Sequence, residues 1–128
     1  MERENEVAKE IVDVAYKVHR TLGPGLLESA YEAIMVHELR KRGLAVEVQV
    51  FVPVVYESVR LDAGFRADII VEDVVIVELK SLEKVAPVHK RQLTTYLRLA
   101  GKRLGLLINF GDKLIKDGIT RIVNGMPD

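Results

Sequence analysis

Apolar residues first recur at helical spacing. Val7, Ile11, Val14, Val18 and Leu22 fall on one stripe and predict an amphipathic helix over residues 3–21. Gly23-Pro24-Gly25 breaks it. Leu27, Ala30, Tyr31, Ile34 and Leu39 give a second helix, residues 26–42, an inner face, and Gly43 suits its C-terminal end. The period then falls to two. Val46, Val48, Val50, Val52 and Val54 alternate with Glu47, Gln49 and Phe51, the pattern of a strand. Pro53 marks that strand as an edge or a bulge. Residues 59–61 predict a short strand, and residues 67–71 and 75–80 two more. Pro87 opens a third helix that runs to Ala100 and stops at Gly101. Leu104 to Phe110, LGLLINF, reads as a buried strand. A turn at Lys116-Asp117-Gly118 leaves room for a final strand over residues 119–123. The order α-α-β-β-β-β-α-β, with that optional last strand, predicts an α/β fold: a central mixed sheet with helices packed on its faces.

Composition narrows the picture. The 128 residues predict one domain, 1–128, and 48% hydrophobic content is enough for one core. No run approaches the ~20 apolar residues of a membrane span, and the charged start MERENEVAKE lacks the apolar region of a signal peptide. The absence of cysteine excludes disulfides, thiolate metal sites and a cysteine nucleophile. A cytoplasmic protein with no membrane partner is the expectation. The formal net charge is zero but unevenly spread. Lys84, Lys90, Arg91, Arg98, Lys102 and Arg103 form a stretch with no acid, which can either attract phosphates or simply be a solvated helix face.

The richest chemistry lies in residues 65–81, FRADIIVEDVVIVELKS. Side chains alternate along a strand, so Glu78 and Lys80 share a face. A two-residue turn at Glu72-Asp73 would put Asp68 on the opposite face. A three-residue turn, Glu72-Asp73-Val74, pairs Asp68 with Glu78. The apolar pattern favours the second register, because it gathers Ile69, Val71, Val75, Val77 and Leu79 on one face. Arg66, Asp68, Ile70, Ile76, Glu78 and Lys80 then take the other. Two carboxylates at that distance repel, and a shared cation resolves the repulsion. Oxygen-only ligation suits Mg²⁺ or Mn²⁺ rather than zinc. Such a cation polarises a phosphoryl oxygen, and Lys80 can orient a water and stabilise developing negative charge. An ordinary surface salt bridge is the alternative, but Glu78-Leu79-Lys80 is the only acid-x-lysine triplet in the chain and it ends an apolar strand.

Two helices offer further candidates. Glu28, Tyr31, Glu32 and Met35 lie on one stripe of the second helix, where Tyr31 can equally be core. Gln92 and Tyr96 lie one turn apart on the third helix. The amide can hold Lys80, a water or a phosphate, and the hydroxyl can bind a nucleic-acid backbone. His19, His37 and His89 show no metal spacing and read as surface or boundary residues. Neither a serine nucleophile elbow nor a phosphate-binding glycine loop is present.

These residues resemble a known family. Asp68 followed by Glu78-Leu79-Lys80 is similar to the motif of the PD-(D/E)XK nuclease superfamily, with Ala67 where its name-giving proline would stand. Gly25-Leu26-Leu27-Glu28-Ser29-Ala30-Tyr31 resembles the GxxExxY signature of one small-protein subgroup, and Gln92-Leu93-Thr94-Thr95-Tyr96 resembles the QxxxY motif of the RecB-like branch. The resemblance implies a restriction-endonuclease-like fold. It implies that Asp68, Glu78 and the Leu79 carbonyl bind Mg²⁺ (or Mn²⁺), that Lys80 assists the attacking water, and that Glu28 completes the site directly or through water. Gln92, Tyr96, Tyr31, Lys84, Lys90 and Arg91 are the expected substrate contacts. A metal-dependent nuclease acting on DNA is thus the leading expectation. The alternatives are a nucleic-acid-binding module without cleavage of its own and an assembly protein. A homodimer is a further expectation, since one small domain has limited surface for a duplex.

Overall fold

The computed structural model describes residues 2–125; residue 1 and residues 126–128 of the expected domain lie outside them. Five strands form one sheet in the order β1 (Val46–Tyr56), β2 (Val59–Val71), β3 (Val75–Lys80), β4 (Leu104–Asn109), β5 (Ile119–Val123). Only β3 and β4 run parallel; the other neighbours are antiparallel. The parallel pair needs a crossover, supplied by α3 (Pro87–Ala100). Buried on both faces, β3 and β4 are apolar almost throughout, as VIVEL and LGLLI require.

Helices cover the sheet on both sides. On one, α1 (Glu2–Leu22) and α2 (Glu28–Lys41) bring Val7, Ile11, Val14, Val18, Met35 and Leu39 against Ile69, Val71, Val77, Leu79, Leu106 and Ile108. On the other, Leu93 and Leu97 of α3 pack against Ile70, Ile76 and Leu107. Each such fully buried aliphatic side chain contributes about 1.5–3 kcal/mol of transfer free energy. No helix among the described residues is long and apolar enough to cross a membrane.

The structure departs from the sequence pattern in three places. The expected strands 59–61 and 67–71 are one strand, so three strands precede α3 rather than four. The polar stretch between them stays extended because β1 supplies its ladder, as in Val52↔Phe65 and Val54↔Leu61. Pro53 sits where the register shifts, in an edge strand, so both readings of it hold. The expected turn at 116–118 is a single helical turn, α4 (Ile115–Gly118), and the final strand is present. Finally, Leu22 ends α1 exposed, whereas His19 is buried and its Nε2 lies 2.8 Å from the Asp112 carbonyl.

Candidate active site

The β2–β3 hairpin has the register that apolar parity requires. Val71 pairs with Val75, Ile70 with Ile76 and Ile69 with Val77. Glu72 and Asp73 occupy the left-handed region, at φ 52° and 58°, and the Val74 N–H closes the turn on the Val71 carbonyl at 3.0 Å. The same register carries Asp68 opposite Glu78. Backbone pairing has ended there, and Asp68 Oδ2 instead accepts the Leu79 N–H at 2.9 Å. A side chain replaces a ladder bond, so the strands part around two carboxylates.

Simple alternation fails at that point. Phe65 and Ala67 belong to the α3 side, whereas Ile69 and Val71 belong to the α1–α2 side. Residues two apart on a regular strand share a face, so β2 changes face at Asp68. On β1, Val46 packs with α1–α2 and Val50 with α3. Between them Gln49 adopts φ 53°, rare for a side-chain-bearing residue. Arg66, just before the crossover, borders the pockets on both sides of the sheet. Its guanidinium lies 5.9 Å from the Phe51 ring centroid, and it has no carboxylate partner among the described residues. Asp68, at the crossover, borders pockets on both sides of the sheet.

On the α3 side, Asp68, Glu78, Lys80, Arg66, His89, Gln92 and Tyr96 line a cavity of about 130 Å³, room for an ion and a few waters. Glu78 is only 9% exposed, and its Oε1 has no hydrogen-bond partner among the described residues. Burial above all, then the hydrogen bond with Asp68 and that residue's charge, pushes the Glu78 carboxyl up to about 9. Tyr96 stacks on Phe65 at 4.0 Å, and burial followed by the charges of Glu78 and Asp68 raises its hydroxyl above the ordinary tyrosine value. The Ala86 N–H donates to His89 Nδ1 at 3.1 Å. That bond fixes the ring at the head of α3, leaving Nε2 as the nitrogen that carries the proton in the neutral ring.

On the α2 side, Glu28, Ser29, Glu32, Gln49, Arg66, Asp68 and Leu79 line a second pocket of about 280 Å³. Glu28 is exposed at the start of α2, and Glu32 accepts a hydrogen bond from Gln49 Nε2. Glu28 thus reaches Asp68's pocket from the side away from Glu78. Among the described residues no three Asp, Glu, His or Cys side chains gather closely enough to cage an ion. The Asp68–Glu78 pair nonetheless suits a hard cation: its donors are all oxygen, and one is buried without a partner.

Other expected contacts lie elsewhere. Tyr31 is fully buried, stacks on Phe110 at 4.3 Å, donates its hydroxyl to the Gly23 carbonyl and accepts from the Leu26 N–H. It braces the α1–α2 loop and borders neither pocket. Lys84, Lys90 and Arg91 are exposed and do not line the cavity. The basic stretch is also discontinuous, because Lys102 pairs with Asp73 at the far end of the hairpin, at 2.8 Å.

Sequence patterning missed His89, read as a surface or boundary residue, as a pocket residue, and it missed Asn109. Asn109 is fully buried. Its Oδ1 accepts the Leu82 and Gly111 N–H groups, and its Nδ2 donates to the Leu82 carbonyl and to Asp112. It pins the chain just beyond Lys80. Gly111 completes the fit, since a Cβ there would lie 2.0 Å from the Leu82 carbonyl oxygen. The single polar position in LGLLINF was the available signal.

No curated protein and no solved structure matches the chain. A family model does, that of the PD-(D/E)XK nuclease superfamily, over residues 5–122. Nucleases of this superfamily generally use divalent metals. The match spans nearly every element just described, including both acids and the lysine, and the chain belongs to the PD-(D/E)XK nuclease superfamily.

Proposed function

We propose that the chain is a divalent-cation-dependent nuclease that hydrolyses DNA phosphodiester bonds, of the GxxExxY kind. The observation that carries this reading is Glu78. A carboxyl buried beside a second carboxyl, with one oxygen unpartnered, is costly to fold and has no structural use. Mg²⁺ or Mn²⁺ would be held by Asp68, Glu78 and the Leu79 carbonyl, with Glu28 on the far side of Asp68 acting through water. The cation supplies Lewis acidity toward a phosphoryl oxygen.

The chain's own groups do the rest. Lys80 borders the cavity beside both acids, where its ammonium holds the attacking water and offsets charge developing at phosphorus. Arg66, with no carboxylate partner among the described residues, donates to a neighbouring phosphate oxygen, a task for which its planar fork is suited. Gln92 and Tyr96 line the opposite wall and hold the backbone in place. Lys84, Lys90 and Arg91 draw the polyanion toward that wall.

Incubating the purified chain with a panel of single-stranded, duplex and branched DNA, with Mg²⁺, Mn²⁺ or EDTA, tests the proposal. Cation-dependent cleavage that EDTA abolishes is the expected result. Failure to cut any substrate with either ion, or equal cutting by Asp68→Ala, would overturn it.

A further inference from the structure

The cleavage proposed above leaves most of the α2-side pocket without a task. At about 280 Å³ against about 130 Å³, that pocket has twice the room of the cation cavity across Asp68. Two of its walls are tied to each other. Gln49 Nε2 donates to Glu32 Oε1, which orients the amide and uses one of the two Glu32 oxygens. Gln49 Oε1 is buried and has no partner among the described residues. A buried acceptor left over in this way calls for an explanation. Gln49 also holds φ 53° inside a strand, a conformation that persists only where the surroundings impose it.

We propose that this pocket binds an unpaired guanine base. Glu28, Glu32 and Asp68 line it against a single cation, Arg66. That surplus of negative charge turns a phosphate away and favours a neutral group rich in N–H donors. Among the bases, guanine alone carries two adjacent donors, N1–H and N2–H, beside an acceptor, O6. Gln49 Oε1 and the Glu32 carboxylate suit the two donors. Arg66 suits O6, the group that guanidinium reads most often. Its five N–H donors and its place between the two pockets let it meet O6 on one side and a phosphate oxygen on the other. Adenine and cytosine set their amine beside a bare ring nitrogen, and thymine flanks its one N–H with oxygens, all of which a carboxylate repels. A duplex hides the edge in question, so the base is read from a single strand or after it leaves the stack.

Position identifies the source of the base, and this step rests on the nuclease reading. Asp68 walls both pockets, so the base belongs to a nucleotide next to the phosphate at Glu78. Phe51 pairs with Arg66 across the β1–β2 ladder, shares its face and is 61% exposed. It offers a ring on which the following base of the strand stacks. A free guanine nucleotide carries the same base but nothing for Phe51.

Fluorescence anisotropy in EDTA tests the site without any cleavage. The probes are labelled oligothymidylates with one central dG, deoxyinosine, dA or dC, and free dGMP is the competitor. The parent is expected to bind the dG probe about 5-fold or more tighter than the deoxyinosine probe, which lacks only the N2 amine. Glu32→Gln keeps the shape and an oxygen for Gln49 Nε2. Gln49→Asn tolerates the left-handed backbone and withdraws the amide. Both variants should keep the parent's thermal midpoint and bind all probes alike. Free dGMP should bind about 10-fold or more weakly than the dG probe, and Phe51→Ala should weaken the probe but not dGMP. A parent that binds all probes alike, or none of them, overturns the proposal, as does a dG preference that survives both variants. If dGMP binds as tightly as the dG probe, the strand is not the source. A dG preference in a chain that cuts no DNA with either cation would remove the nuclease reading and leave the pocket standing. Cleavage without a dG preference would remove the pocket alone.

Discussion

The β2–β3 hairpin carries two acids at its turn and two at its open end, and their surroundings differ sharply. At the turn, Glu72 accepts the Ala45 N–H and pairs with Arg3 at 2.8 Å, while Asp73 pairs with Lys102. The backbone hydrogen bond first, then Arg3, holds the Glu72 carboxyl below its ordinary value. At the open end, Asp68 has one backbone donor, and Glu78 has a buried oxygen with none. The same residue types on the same two strands are thus stabilised at one end and penalised at the other. Stability explains the turn. It does not explain the open end, where function is the remaining reason to hold such a group.

The comparison breaks most visibly in activity. Lys80→Ala should lower cleavage by about 100-fold or more, the cost of losing a group that stabilises developing charge. Its thermal midpoint should stay close to the parent's. Glu72→Gln should cut within twofold of the parent. Initial rates of plasmid nicking separate the two, and equal rates for Lys80→Ala and the parent would erase the distinction.

Behind the open end, Asn109→Ala should cost about 2–4 kcal/mol in urea unfolding, because it strands the buried N–H groups of Leu82 and Gly111. A loss well under 1 kcal/mol would mean that the Lys80–Leu82 segment does not depend on Asn109.

The two ends should also respond to pH with opposite sign. Without a cation, Glu78 holds a proton in the folded chain up to about 9, against an ordinary value of 4.5. Between those values the folded state binds a proton that the unfolded state has lost, so stability falls as pH rises. Glu78→Gln removes that fall. With EDTA present, its thermal midpoint should decline less from pH 5 to pH 9 than the parent's; parallel declines would refute the assignment. Glu72 behaves in reverse. Its carboxyl is held low, so its contribution is present above the ordinary value of 4.5 and is lost as pH falls through the folded value. The gap in midpoint between the parent and Glu72→Gln, the smallest effect of the set, should be present at pH 7 and close on acidification.

The hairpin register was legible because parity leaves one turn length that keeps Ile69, Val71, Val75, Val77 and Leu79 together. Asp68, Glu78 and Lys80 followed from it. Gln92 and Tyr96 were legible as neighbours on a helix, although only docking of α3 shows that they meet Lys80. The face change at Asp68 was not legible. It depends on a left-handed Gln49, and no local rule places that conformation at a glutamine inside an alternating strand. The stretch 62–66 hid the continuity of a strand because its ladder comes from β1 rather than from its own apolar residues. Tyr31 and Glu28 share a helical stripe, yet a modest rotation about the helix axis sends one into the core and leaves the other at the surface.

The most direct test of the central claim is anomalous diffraction from crystals soaked in Mn²⁺. The account predicts one peak between the carboxylates of Asp68 and Glu78, in contact with the Glu78 oxygen that otherwise has no partner. It also predicts that the peak disappears in Asp68→Ala. A soaked crystal with no density between the two acids would contradict it.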